Sequence, residues 1–132
     1  MEAERALRDL LLATQDVAEL VGDGIHPVHL PQGFRLPAVS YQRISGPRIR
    51  AHEGPSGLAR PRIQVDCWAE TYAAAKELAR RVRQSVDGWR GESAGIRIND
   101  VSVVTEMDGY EPDTGIWRVQ LDLIVWHEEA TS

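Results

Sequence analysis

Apolar residues recur along this chain with two different periods, and the switches between them divide it into helices and strands. Leu7, Leu10, Leu11, Thr14, Val17, Ala18 and Val21 follow the three-then-four spacing of one helical face. Glu2, Glu4, Arg5, Arg8, Asp9, Asp16 and Glu19 fall mainly on the other side, and Leu12 stands off the stripe. This predicts one helix up to Gly22, a residue able to take the positive φ that closes a helix. Residues 22–37 hold three prolines and three glycines, which predicts an ordered crossing with one short extended piece at 25–30.

Alternation then takes over. Residues 38–45 read as a strand with Val39 and Tyr41 on one face and Gln42 and Ile44 on the other. Gly46, Pro47, Gly54, Pro55, Gly57 and Pro61 make 45–61 a long loop, a length that small domains reserve for functional or mobile segments. Residues 62–69 form a second strand, with Ile63, Val65 and Cys67 facing one way and Gln64, Asp66 and Trp68 the other. Thr71 is the expected N-cap of a helix through Asp87, with Ala75, Leu78, Ala79, Val82 and Val86 as its apolar stripe and Gly88 as its stop.

A third strand spans 96–106. Its apolar positions change parity at Asn99 and Asp100, the mark of a β-bulge. Residues 107–115 read as a turn and 116–127 as the longest strand, followed by a polar tail at 128–132. Trp117, Val119, Leu121, Leu123 and Val125 share the helix-covered side, whereas Trp68, Ile124 and Trp126 face away from it. The expected architecture is a single α+β domain over 1–132. It has a mainly antiparallel sheet of four strands or slightly more, two helices packed on one face, and the order α-β-β-α-β-β.

Composition changes this picture by exclusion. There is no apolar run long enough for a membrane helix, and the acidic, amphipathic start is unlike a signal peptide. One cysteine, Cys67, leaves no internal disulfide and no cysteine-based zinc site. The net charge of −5 argues against nucleic acid as the main partner. The distribution says more. Arg43, Arg48, Arg50, Arg60 and Arg62 face a single acid, Glu53, so residues 43–62 carry +4 and the rest of the chain −9. A basic arm on an acidic body favours like molecules meeting head to tail, or a partner of complementary charge.

Chemistry adds little. His26 and His29, with His52 and Cys67 as further candidates, fall short of a fixed set of metal ligands, and Cys67 shares a core face with Ile63 and Val65. Asp66 with Asp122, or Glu106 with Asp108, could pair as carboxylates, yet acids on solvent faces of strands are common. The loop at 54–57 lacks the Gly-Lys-Ser/Thr ending of a phosphate cradle. No catalytic residue, metal or cofactor is expected. The arginine-rich segment has no aromatic residue to stack on bases, so a nucleic-acid module is the weaker reading beside a protein contact or a solvated loop of scattered arginines on a small monomeric binding domain. The face with Trp68 and Trp126 is either a surface for a neighbour or is partly covered by Phe34 and Leu36 of the crossing.

Several stretches resemble the tail-completion proteins of long-tailed bacteriophages, prophages and gene transfer agents. They are Ala3-x-x-Ala-Leu-Arg-Asp-Leu-Leu, Val21-Gly-Asp-Gly-Ile-His-Pro, Leu36-Pro-Ala-Val-Ser-Tyr-Gln-Arg-Ile-Ser-Gly and Gly57-Leu-Ala-Arg-Pro-Arg-Ile-Gln-Val-Asp-Cys-Trp-Ala. Thr71-Tyr-Ala-Ala-Ala-Lys-Glu-Leu-Ala and Tyr110-Glu-Pro-Asp-Thr-Gly-Ile-Trp-Arg-Val-Gln-Leu-Asp continue the likeness along nearly the whole chain. The resemblance implies a tail terminator, a structural protein of the virion tail at the head–tail junction, assembled in the host cytoplasm. It implies a hexameric ring that stops growth of the tail tube. The expected partners are its own copies, the major tail-tube protein and the head-completion (stopper) protein of the connector. DNA only passes through the lumen, and no membrane is involved. On that expectation Arg43, Arg48, Arg50, His52, Arg60, Arg62, Trp68 and Trp126 are the candidate contact residues for a neighbouring subunit or the tube.

Overall fold

The structure is a computed structural model that describes residues 2–44 and 58–128. Three helices lie against a mixed sheet. Helix α1 (Glu2–Ala13) and α2 (Gln15–Val21) precede strands β1 (Ile25–Pro27), β2 (Ala38–Arg43), β3 (Leu58–Ala59) and β4 (Arg62–Ala69). Helix α3 (Tyr72–Val86) then leads to β5 (Gly91–Ser93), β6 (Ile96–Glu111) and β7 (Ile116–Glu128). Among the described residues the sheet has seven strands, ordered β1-β2-β4-β7-β6-β5, with β3 added alongside β7. The β1–β2 pair is parallel and the other pairs are antiparallel.

The α+β class is as expected, but its details differ. The first helical pattern is two helices, because Thr14 has extended backbone (φ −89°, ψ 113°) and its hydroxyl donates to the Leu10 carbonyl at 2.8 Å. A threonine bonded back onto the preceding turn ends α1, while the apolar stripe continues across the break to buried Val17. The expected plan of four strands or slightly more with two helices is therefore corrected to seven strands and three helices among the described residues. Strand β1 lies within the short extended piece expected at 25–30, whereas β3 and β5 are additions. All three are only two or three residues long and owe their pairing to a neighbour rather than to their own alternation.

Strand β4 and helix α3 form where the sequence predicts. The Thr71 side chain accepts a hydrogen bond from the Ala74 N–H at 3.1 Å, and Gly88 takes φ +77° just beyond the helix. The core runs between the helices and one face of the sheet. Leu7, Leu11, Val17, Leu78, Val82 and Val86 meet Val39, Ile63, Val65, Val119, Leu121, Leu123 and Val125, each exposing at most 1% of its surface. Leu12 lies outside this core and is exposed.

Strand β6 carries two register shifts against β7. The one between Ile98 and Asp100 is the expected bulge. The second, between Val103 and Thr105, reverses the faces again, so Glu106, Asp108 and Tyr110 turn to the helix side opposite Leu121, Val119 and Trp117. There Lys76 binds Glu106 at 2.6 Å and Asp108 at 3.1 Å, Arg83 binds Glu106 at 2.6 Å, and the Tyr72 hydroxyl donates to Asp108 at 2.8 Å. These contacts hold the strand straight through to Glu111. The expected turn at 107–115 is thus confined to the four residues 112–115.

Candidate interaction surface

The face of the sheet away from the helices is built by the even positions of β4 and β7. Register places Ser40 beside Asp66, Gln64 beside Asp122, Trp68 beside Arg118 and Arg62 beside Ile124. Strand alternation alone puts Trp68 and Trp126 here, as the sequence predicts. They stand at opposite ends of the face, each half-buried beneath a guanidinium. Arg118 lies 5.4 Å from the Trp68 ring and Arg60 lies 5.6 Å from the Trp126 ring. The Trp68 indole N–H also donates to the Ser40 hydroxyl at 2.9 Å. Phe34 and Leu36 of the crossing are half-buried.

Between the tryptophans the face is largely polar, with Gln64, Gln120 and Asp122 half-buried around a buried centre. Ser40 exposes 1% and Asp66 5% of their surfaces. Gln64 donates to Asp66 Oδ2 at 2.9 Å, while Oδ1 of Asp66 and Oδ1 of Asp122 are buried without a hydrogen-bond partner among the described residues. Burial drives the Asp66 carboxyl above its ordinary value. Gln64 and the Arg118 charge oppose that shift, and the charge of Asp122 adds to it. Asp66 and Asp122 therefore come together as the sequence allows.

A raised carboxyl pKa means that the folded state holds its proton more firmly than the unfolded one, so stability falls as pH climbs through the folded value. Asp66→Asn is expected to stabilise the protein by about 1 kcal/mol at neutral pH. The gain should shrink as pH drops toward the ordinary carboxylate range. Urea unfolding of both proteins at neutral and acid pH checks this, and equal midpoints at neutral pH would refute it.

The predicted contact residues divide between two faces. Arg60, Arg62, Trp68 and Trp126 belong to the outer face. Arg43 shares parity with Val39 and Tyr41, pairs with Ile63 on the helix side, and lies 3.8 Å from Glu4 of α1. Arg48, Arg50 and His52 lie outside the described residues, as do most of the loop at 45–61 and the tail beyond Glu128. Sequence reasoning missed a cleft of about 450 Å3 where α1 meets the ends of β1 and β2. Arg5, Arg8 and Arg43 line it together with Glu4, Pro27, Val28, Tyr41 and Gln42. The signal was present in the polar side of the first helix, but its meeting with Arg43 is tertiary.

Among the described residues no three histidine, cysteine, aspartate or glutamate side chains gather as a metal-binding group. Cys67 is fully buried, and burial pushes its thiol pKa up, so it is a packed core residue. No helix among the described residues is long and apolar enough to cross a membrane.

The family model described as tail completion protein gp17 matches residues 5–128. A chain in the solved virion of a native gene transfer agent particle superposes with a TM-score of 0.73. The two are 20% identical, and the match covers 93% of this chain and 92% of that one, so they share a fold. A crystal structure from Akkermansia muciniphila matches at a TM-score of 0.38 with 10% identity, over 72% of this chain and 43% of its own, too weakly to bear on the question. No curated protein matches the chain.

Proposed function

Because the chain belongs to the tail completion protein gp17 family, we propose that it is the tail terminator of a phage-like particle. The family match over residues 5–128 is the observation that carries this reading. In this role the protein is structural and its work is done by surfaces. Identical subunits form a ring, hexameric as in comparable terminators, on the head-proximal end of the tail tube. The ring ends tube growth and offers its other side to the head-completion protein. DNA passes through the lumen, and no cofactor takes part. The protein resides at the head–tail junction and assembles in the host cytoplasm.

Charge supports the subunit contact. Residues 43–62 carry +4 on a body that carries −9, so the basic segment of one copy is complementary to the body of the next. In this reading Arg48 and Arg50 reach a neighbouring subunit or the tube, with His52, Arg43, Arg60 and Arg62 around them and Trp68 and Trp126 on the contacted face. The test is light scattering and electron microscopy of the protein alone and with tail-tube protein. Wild-type protein is expected to cap tube ends and fix tube length. Arg48→Glu with Arg50→Glu should weaken assembly while leaving the circular dichroism spectrum unchanged. Tubes that grow without limit in the presence of wild-type protein would overturn the terminator reading. Full rings from the double variant would overturn the role given to the two arginines.

A further inference from the structure

The two sides of the sheet differ in charge and in how they are finished. Strand β5 pairs with β6 only at Ile96–Ile98, and the Val103 N–H is taken by Asp87 at 3.0 Å. From there to Glu111 no strand among the described residues pairs with the outer edge of β6. An unpaired edge of that length is a site where another chain can dock. Apolar surface is concentrated beside it. Among the described residues, four of the six exposed large apolar or aromatic side chains are Tyr72, Val104, Met107 and Tyr110, with Met107 62% exposed.

This end is also acidic. Residues 104–113 contain Glu106, Asp108, Glu111 and Asp113 and no basic residue. Glu106 and Asp108 are held by α3, whereas Glu111 and Asp113 make no side-chain hydrogen bond or ion pair among the described residues.

The opposite side of the sheet, at β1 and β2, carries the arginine cleft. Its guanidinium groups from Arg5, Arg8 and Arg43 outnumber Glu4 and the Asp9 carboxylate that pairs with Arg8 at 2.9 Å. Val28 at its mouth is 61% exposed and has φ +66°, a left-handed conformation that a β-branched residue adopts only under strain. Such strain is concentrated where a surface is shaped for a ligand or partner.

We propose that the acidic end of the β6–β7 hairpin in one copy docks in the arginine cleft of the next copy. Tyr110 meets the apolar wall of Pro27, Val28 and Tyr41, and Glu111 and Asp113 at the end of the hairpin meet Arg5 and Arg8. A second copy is the occupant because one sheet carries complementary charges on opposite sides. Such a head-to-tail contact repeats from subunit to subunit and closes when the rotation fits. The inference rests on the ring reading above and names the surfaces that meet.

Charge exchange tests it. Glu111→Arg with Asp113→Arg makes the hairpin end basic, and Arg5→Glu with Arg8→Glu makes the cleft acidic. Each variant alone is expected to weaken ring formation roughly tenfold or more, as read by light scattering over a dilution series. An equimolar mixture should recover it, because each altered surface then meets an altered partner. Arg8→Gln, which keeps the side-chain stem, guards against misfolding and should show an intermediate loss. Wild-type rings should loosen as salt rises, since exposed charge pairs are screened. Rings from both double variants, or no recovery in the mixture, would overturn the inference while leaving the terminator role intact. Wild-type protein that forms no ring, alone or with tail-tube protein, would overturn the ring reading and this docking with it.

Discussion

Leu121→Ala is expected to lower stability by about 3–4 kcal/mol and the melting temperature by roughly 10–15 °C. Leu121 is fully buried on β7, with Val65 and Glu106 as its cross-strand partners and α3 packed above the strand. Alanine removes the side chain from the point where β4, β6 and the helix converge. Neighbours held by strand pairing on both sides cannot close the cavity. The loss is a large share of the roughly 5–15 kcal/mol that holds such a domain together. Thermal unfolding followed by circular dichroism measures it. A change below about 1 kcal/mol would mean that the helix layer does not bear on β7 as described.

Trp117→Ala is expected to cost about 3 kcal/mol and to impair assembly more than that cost explains. The Trp117 ring lies 5.4 Å from Tyr72 of α3 and 4.5 Å from Tyr110 of β6, both in tilted geometry. It therefore ties the helix to the far end of the hairpin, beside the contacts of Lys76 and Tyr72 with Asp108. Without it, Tyr110 loses the wall that fixes its direction. Trp117→Phe should restore most of the stability because a ring still fills the gap. Denaturant unfolding of both variants, with ring formation measured at a temperature where each is folded, separates the two effects. Normal assembly by the alanine variant would show that the hairpin end needs no such support.

The elements legible in the sequence were those whose own pattern repeats long enough. Helix α3 has five buried stripe positions between an N-cap threonine and a positive-φ glycine, and β7 alternates strictly from Val119 to Val125. What escaped depends on partners. Strands β3 and β5 are short segments that become strands by lying next to β7 and β6. The break at Thr14 interrupts hydrogen bonding without interrupting the apolar stripe. The second bulge hides because Val103 and Val104 are both apolar, so alternation gives no sign of the change in parity. The tryptophans of the outer face followed from alternation. By the same rule Arg43 belonged with Tyr41 on the other side, and the charge-based grouping overrode it. The burial of Asp66 beside Asp122, and the cleft that joins Arg43 to Arg5 and Arg8, arise only when separate elements meet.

The place of β7 in the sheet has a consequence for synthesis. It joins β4 on one side to β6 on the other and also receives β3, yet it follows all of them in the chain. Until residues 116–128 have left the ribosome, β1, β2 and β4 form one fragment and β5 and β6 another, with no hydrogen-bonded strand between them. At about 5–20 residues per second this interval is brief, but a chain interrupted before it ends has no continuous sheet. The arginine cleft and the hairpin end are then never held on one rigid body. On the docking proposed above, an unfinished chain lacks the hairpin end and so cannot extend a ring.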